Sequence, residues 1–388
     1  MDVYHLDINY VYLTFVYLSS QLTLFFYVFL QISASADACK SVFVFGDSLF
    51  DPGNNHYIPN CTLQADFPPY GSSFFHHPTG RFTNGRTVAD FIAQFLKIKF
   101  QRPFQEVYRE LANGHLNNFP TNGINFASAG SGVLPETNKA SRVTPIQVQL
   151  QQFQTLIQQN HLRKKQTKKS LFFLESGAND IFTYFLFPSP PLTQKAYVHA
   201  MLKEVVHFLD QIYKLGARSI AIFSVGPLGC IPGRVLLPGA SVNECDSRVT
   251  DMVKYYNAGL ERLVYIIPIR YPGAIGVYGA VDTTVENFRA NGNLYGFDNV
   301  NEACCGDGPL NGMLQCGLRG YKMCSNPNKF FFFDYFHPSE RTYELVSKAM
   351  WAGNKSKIRP MNLKTFAQYR THPIDSKTLA PNNTLPSP

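Results

Sequence analysis

The sequence lacks the motifs that identify several common classes of α/β protein. No G-x-G-x-x-G follows its first apolar strand, and no acidic residue stands downstream where a dinucleotide ribose would bind. The cysteine-rich segment 304–324 has no Cys-x-x-Cys pair and no histidine at ligand spacing. These absences argue against a nucleotide-binding domain and against a zinc site.

Charged residues are also scarce. They make up 16% of the chain against 45% for hydrophobic residues, so we expect a large core and little disorder. The net charge of +8 is spread along the sequence, and no helix-turn-helix, zinc-finger or RNA-binding aromatic motif accompanies it. We therefore expect no nucleic-acid partner and interpret the densest basic run, residues 163–169, as a solvated loop.

The first 36 residues contain neither Lys nor Arg. Residues 10–32 are apolar and aromatic, and Ala34-Ser35-Ala36 has the small-x-small pattern of a secretory cleavage site. We interpret residues 1–36 as a signal peptide and predict a secreted protein, extracellular or in the cell wall, without a stable membrane span after cleavage. The alternative is an uncleaved signal anchor, because the apolar stretch is long enough to cross a bilayer and lacks a positive flank.

All eight cysteines follow the proposed cleavage point, which predicts disulfide bonds in an oxidising compartment. We expect at least one bridge within segment 304–324, and the sequence leaves the pairing open. Three sequons predict glycosylation of a secreted chain at Asn60, Asn354 and Asn382. The cysteines are Cys39, Cys61, Cys230, Cys245, Cys304, Cys305, Cys316 and Cys324.

Apolar strands alternate with amphipathic helices, and each strand leads into a Gly-rich loop. This pattern predicts an α/β fold with a parallel sheet and helices on both faces, formed by residues 37–354 as one domain. Residues 355–388 are predicted to be a polar tail. Strands are predicted at 42–45, in the first part of 123–132, and at 170–174, 219–225 and 274–281; helices are predicted at 87–98, 145–160, 194–215, 249–269 and 339–352.

Ser48 follows the first predicted strand, whose apolar run ends at Gly46. In open α/β sheets, ligands bind beyond the carboxyl ends of the strands, so a serine there is a candidate nucleophile. The alternative is a turn in which Asp47 and Ser48 only cap the next helix. No G-x-S-x-G occurs in the chain, which argues against the nucleophile elbow of an α/β-hydrolase fold.

Asp334 and His337 follow a run of four phenylalanines and are three residues apart. On a tight or helical turn both side chains project to one side, so the carboxylate can orient the imidazole. A nucleophilic serine needs such a base, its orienting acid, and N–H donors for the oxyanion. Taken alone, the D-x-x-H pair is a weak signal, since most histidines are surface or core residues.

Four segments together resemble the blocks of the SGNH hydrolase superfamily in order and spacing. They are Phe45-Gly46-Asp47-Ser48-Leu49, Asn125 to Gly130, Gly177-x-Asn179-Asp180 and Asp334-x-x-His337. Three further segments are similar to those of its plant GDSL esterase/lipase branch. These are Thr79 to Arg86, Gly226 to Pro232 and Cys304-Cys305-Gly306.

The resemblance implies a flavodoxin-like three-layer α/β/α fold and hydrolysis of carboxylic esters without a metal or cofactor. It implies that Ser48 is the nucleophile, His337 the base and Asp334 the acid that orients His337. For the oxyanion hole it implies the backbone N–H groups of Ser48 and Gly130 together with the side-chain amide of Asn179.

Two departures from the family pattern stand near these blocks, namely Pro52 after the nucleophile and Glu175 before the third block. Pro52 is expected to affect the rate more than the type of reaction. A secreted defence or binding protein with the same fold and little turnover is the alternative function. The substrate also stays open, because aromatic-rich loops suit a lipid, a cutin-like ester or an acetylated polysaccharide.

Overall fold

A computed structural model of the chain describes residues 39, 41–187 and 189–368. The predicted signal peptide and the Asn382 sequon lie outside these residues. Among the helices that are described, none combines the length and apolar character needed to cross a membrane.

A seven-stranded sheet forms the centre of the fold. In the order β11-β6-β5-β4-β1-β3-β2, all neighbours are parallel except β11, which pairs antiparallel with β6. The five strands β3-β1-β4-β5-β6 have the 2-1-3-4-5 order of flavodoxin-like folds, so the predicted fold class is confirmed. All strands, numbered in chain order, are β1 Val42–Gly46, β2 Arg102–Pro103, β3 Ile124–Asn125, β4 Leu171–Glu175, β5 Ser219–Phe223, β6 Ile275–Gly279, β7 Asn299–Ala303, β8 Cys305–Gly306, β9 Lys322–Met323, β10 Phe330–Phe332 and β11 Ile358–Arg359.

The helices form two groups of neighbours. In one group α6 contacts both α3 and α7, and in the other α9 contacts α1, α8 and α10. The sheet lies between them, which gives the three layers. The helices are α1 Val88–Phe95, α2 Phe104–Ala112, α3 Ile146–Gln158, α4 Lys164–Thr167, α5 Ala178–Leu186, α6 Gln194–Lys214, α7 Ser247–Arg270, α8 Val281–Ala290, α9 Glu340–Ala352 and α10 Leu363–Gln368.

Strand β1 is buried at all five positions, as its unbroken apolar run predicts. The Phe43 and Phe45 rings contact Phe153 of α3, with ring centroids 5.1 and 5.8 Å apart. Phe45 also contacts Phe208 of α6 at 5.1 Å. The strand that precedes Ser48 is therefore anchored in the centre of the core.

Residues 299–338, which we call the stapled segment, lie outside the central sheet. In this segment β7 pairs parallel with β10, and β8 pairs antiparallel with β9. Two disulfides, Cys304–Cys324 and Cys305–Cys316, close it, so the expected bridge is confirmed. A third bridge joins Cys230 to Cys245.

The remaining cysteines do not extend this pattern. Cys39 and Cys61 are buried outside the three bridges, so the disulfide prediction is confirmed for six of the eight cysteines. The Cys61 thiol donates to the carbonyl oxygen of Leu63, and the Cys39 thiol donates to that of Ser41. Burial raises the pKa of the Cys61 thiol.

The predicted domain end at residue 354 needs correction. Strand β11 extends the sheet beyond β6, and in α10 Leu363 and Phe366 are fully buried. The error arose because β11 has only two residues and α10 only six, so neither shows periodicity in a polar stretch. The packed chain therefore continues at least to residue 368.

Candidate active site

Ser48 stands in the turn that follows β1. The turn is closed by a hydrogen bond from the Asp51 backbone N–H to the Asp47 carbonyl oxygen at 2.9 Å. Gly46, at φ 149°, must be glycine, because a Cβ there would overlap the carbonyl oxygen of Glu175. Ser48 is 8% exposed, and the Asp47 side chain accepts from the Leu49 N–H instead of capping a helix.

Asp334 and His337 follow β10 in the stapled segment. The turn is held by the Phe333 N–H, which donates to the His337 carbonyl oxygen at 2.8 Å. One Asp334 carboxylate oxygen accepts from the backbone N–H groups of Phe336 and His337, at 2.9 and 2.8 Å. The backbone thus fixes the carboxylate before it meets the imidazole.

The three side chains form a continuous line of hydrogen bonds. His337 Nδ1 lies 2.7 and 2.9 Å from the two Asp334 oxygens, and His337 Nε2 lies 2.8 Å from Ser48 Oγ. With Nδ1 donating to Asp334, Nε2 is left to accept the Ser48 hydroxyl proton. Residues that are 289 apart in sequence are thereby brought into direct contact.

Tyr70 also contacts this line, and the sequence did not single it out. Its hydroxyl donates to Asp334 Oδ2 at 2.7 Å, and the residue is 1% exposed. Burial, and secondly the Asp334 charge, raise the pKa of Tyr70 well above its usual value, so the hydroxyl remains a donor. Its position in the aromatic loop 59–85 was the only available signal.

Asn179 lies in the first turn of α5, after β4. Its side-chain amide donates to the Ser131 carbonyl oxygen at 3.0 Å and to Asp47 Oδ2 at 3.3 Å. The N-cap of α5 is Gly177, and the cap has no side-chain hydrogen bond. The Asn179 amide therefore acts as a donor beside the nucleophile turn and not as a helix cap.

Gly130 lies on the loop after β3 with φ 80°, in the left-handed region. Among the described residues, neither its backbone N–H nor that of Ser48 donates a hydrogen bond. Gly130, Ser48, Asn179 and His337 all line one cavity. Four of the five predicted residues therefore lie around one space, and Asp334 is fully buried behind His337.

Asp51 and Asn54 hold the loop that carries Gly130 against the nucleophile turn. The Asp51 carboxylate accepts from the Ala129 N–H at 2.8 Å, and the Asn54 amide donates to the Asn125 and Ala127 carbonyl oxygens. Burial raises the pKa of Asp51 to about 6. These bonds join the second sequence block to the segment that directly follows the first, and they form despite the neighbouring Pro52.

The cavity has a volume of about 360 Å³. Its walls are mostly apolar, and no Lys or Arg from the described part of the chain lines it. The apolar lining extends from the Ser48 turn to β5, α8 and α9. It includes Phe50, Phe223, Val225, Leu228, Val285 and Val346.

The comparisons with known proteins agree with this geometry. The family model described as GDSL-like Lipase/Acylhydrolase matches residues 42–350. The chain is 58% identical over 337 residues to GDSL esterase/lipase 6 of Arabidopsis thaliana, covering 87% of this chain and 92% of that relative. It is 34% identical to the GDSL lipase of Tanacetum cinerariifolium, covering 86% and 89%. The chain therefore belongs to the GDSL-like lipase/acylhydrolase family and is a carboxylic ester hydrolase.

Proposed function

We propose that the protein is a secreted serine esterase that acts through an acyl-enzyme on Ser48. The observation that carries this proposal is the line of hydrogen bonds from Asp334 through His337 to Ser48, beside an apolar cavity. His337 Nε2 takes the hydroxyl proton as Ser48 Oγ attacks the ester carbonyl, and then gives it to the leaving alcohol. Water, activated by the same nitrogen, hydrolyses the acyl-enzyme.

The oxyanion is assigned to the N–H groups of Ser48 and Gly130 and to the Asn179 amide. Support comes from the two backbone N–H groups, which have no acceptor among the described residues. The Asn179 amide has a long hydrogen bond of 3.3 Å to Asp47, which it can exchange for the oxyanion. Such donors bind most strongly in the transition state, where the negative charge on oxygen is largest.

The cavity supports an apolar acyl group. Its lining of Phe, Val and Leu side chains, without a cation, suits a hydrocarbon chain better than a hydrated sugar. A lipid or cutin-like ester is therefore favoured over an acetylated polysaccharide as substrate. The acyl chain would lie in the cavity, with the alcohol towards solvent.

Three features support secretion. Three disulfides suit an oxidising compartment. Asn60 and Asn354 are both exposed, as glycosylation requires. Residues 1–36 have the pattern of a signal peptide.

Labelling with a fluorophosphonate probe, followed by a panel of esters of increasing acyl length, tests the proposal. Wild type and the surface control Ser72→Ala should label and turn over, and Ser48→Ala should do neither while retaining the wild-type melting temperature. Ser72 is exposed, so its hydroxyl is a matched control. Labelling of Ser48→Ala would place the nucleophile at another residue. A wild type that does not label and cleaves no ester would favour the binding or defence function.

A further inference from the structure

The wall of the cavity contains two carboxyl groups that have no part in the mechanism above. Asp47 precedes the nucleophile, and Glu175 ends β4 directly opposite Gly46 in the parallel register. Their residues are only 1% and 3% exposed. Two ionised carboxylates side by side in a buried place repel each other strongly, so one is expected to hold a proton.

The hydrogen bonds of the pair show where that proton belongs. The Asp47 oxygens accept from the Leu49 N–H at 3.0 Å and from the Asn179 amide at 3.3 Å. Glu175 lines the same cavity as Asp47, close enough for the negative charge of Asp47 to raise its pKa. No N–H or hydroxyl of another described residue donates to either Glu175 oxygen. An ionised Glu175 could only accept hydrogen bonds, as Asp47 does, so the two groups could not bond to each other. A protonated Glu175 can donate its O–H to Asp47.

The electrostatics of the surroundings agree with this arrangement. Burial, and secondly the negative charge of Asp47, raise the pKa of Glu175 well above its usual range. Burial also raises the pKa of Asp47, to about 6. Asp47 is the member that accepts from N–H groups, which stabilise its ionised form.

Four further titratable groups act on the pair or feel its charge. Asp180 raises the pKa of Asp47, and His337 lowers it. The Tyr256 hydroxyl donates to the Ser176 carbonyl oxygen, and burial, then the charges of Asp180 and of the pair, raise its pKa. Burial, then the charges of Asp334 and of the pair, raise the pKa of Tyr343.

We propose that Glu175 is a positioning residue that stays protonated and donates to Asp47, and thereby leaves the Asn179 amide available to the oxyanion. This inference rests on the proposed function, in which Asn179 is an oxyanion donor. One Asn179 N–H is held by the Ser131 carbonyl oxygen, so Asp47 and the oxyanion compete for the other. A hydrogen bond donated by a protonated Glu175 would satisfy Asp47 and weaken its hydrogen bond with Asn179.

Loss of that proton has two consequences in the same direction. Asp47 then forms a stronger hydrogen bond with the Asn179 amide, which is less available to the oxyanion. A second negative charge also lies beside the site where the oxyanion forms. The rate therefore falls when Glu175 ionises. The folded protein also binds this proton more tightly than the unfolded chain, so stability is lost as pH rises from the unfolded pKa of Glu175 to its raised folded pKa.

Two substitutions separate the donor from the charge. In Glu175→Gln the amide N–H can still donate to Asp47 but does not titrate. We expect kcat within about 3-fold of wild type near neutral pH, without the decline of kcat at alkaline pH that the proposal predicts for wild type. In Glu175→Leu no donor remains, and kcat should fall about 10-fold or more with little change in KM, the size expected for a hydrogen bond to a charged group. The surface variant Glu136→Gln should match wild type.

An infrared measurement gives a readout that does not depend on turnover. Wild type should show the carbonyl band of a protonated carboxylic acid, and Glu175→Gln should lack it. If Ser48→Ala retains activity, the proposed function fails. If Ser48→Ala is inactive, either of two results overturns the inference about Glu175. One is a Glu175→Gln variant that keeps both the infrared band and the alkaline decline of kcat. The other is a Glu175→Leu variant with wild-type kcat. If Glu175→Leu does not fold, the Glu175→Gln profile and the infrared band still decide.

Discussion

The site joins two halves that are built in different ways. The half with Ser48 and Asn179 lies at the carboxyl ends of β1 and β4, where main-chain pairing of the central sheet sets its geometry. The half with Asp334 and His337 lies in the stapled segment, whose strands pair only in twos and which two disulfides close. One half is therefore set by the central sheet, and the other by the packing of β10 on the core, covalent closure and a tight turn.

The aromatic loop 59–85 connects the two halves. Tyr70 donates to Asp334, the Phe82 ring lies 4.8 Å from the His337 ring, and the Thr83 hydroxyl donates to the Pro338 carbonyl oxygen at 3.0 Å. These contacts place the imidazole against Ser48. Each prediction below tests one half or the connection between them.

The largest effect is expected where the halves meet. His337→Ala should lower kcat by about 10⁴ to 10⁶, as for loss of a residue that acts as a unit with the nucleophile. The Ser48→Ala/His337→Ala double variant should be no slower than either single variant. His207→Ala, on the exposed face of α6, is the matched control and should turn over normally. Additive losses in the double variant would show that the two halves do not act together.

The next prediction concerns the sheet half alone. Asn179→Ala should lower kcat by about 10² to 10³, or roughly 3 to 4 kcal/mol, with KM little changed, because its amide acts in the transition state. The purely structural alternative is that the amide only holds Ser131 and Asp47. A lower melting temperature with unchanged kcat would establish that alternative. The variant Asn138→Ala, which removes an amide bonded to the Gly130 carbonyl oxygen, tests whether loop geometry alone matters.

The two halves also differ in how much the sequence could predict. Ser48 was predictable because a buried strand and its terminal turn are local features. Asp334 and His337 were predictable as a pair three residues apart. Tyr70 was not, because its contact with Asp334 spans 264 residues and leaves no local pattern. Helix α5 was also missed, since the Gly177 segment that starts it is typical of a loop.

The cavity, like Tyr70, could not be predicted from local sequence patterns. Its walls come from segments between β1 and α9, and each contributes only a few apolar side chains that also suit a core. The sequence therefore predicted the reaction and left the substrate open. The Asp47 and Glu175 pair was likewise visible only through the register of β1 with β4.

The third prediction concerns the covalent closure of the stapled segment. Replacing Cys304 and Cys324 with Ala should lower the free energy of unfolding by about 3 kcal/mol, since the bridge closes 20 residues. It should also lower kcat, because Asp334 and His337 follow directly. Removing Cys230 and Cys245, which close 15 residues, should cost a similar stability with a smaller loss of kcat. Equal kcat losses for the two pairs would contradict a special role for the stapled segment.

The smallest effect is expected from the connection itself. Tyr70→Phe removes the donor to Asp334 Oδ2, but that carboxylate keeps two backbone N–H groups and His337 Nδ1. Loss of one hydrogen bond to a charged group is worth about 1.5 to 3 kcal/mol. Because three other donors remain, we expect the lower end of this range, so kcat should fall about 10-fold with KM unchanged. Tyr271→Phe is a matched control, because the Tyr271 hydroxyl also donates to an aspartate at 2.7 Å, in this case Asp210.

Both tyrosine variants should lose some stability, since each removes a hydrogen bond between a phenol and a carboxylate. Only Tyr70→Phe should lose rate, because only its carboxylate orients the imidazole that takes the Ser48 proton. Thermal unfolding and steady-state kinetics on the two variants separate these effects. Equal kcat for Tyr70→Phe and Tyr271→Phe would mean that the backbone N–H groups alone hold Asp334, and that the aromatic loop joins the two halves by packing only.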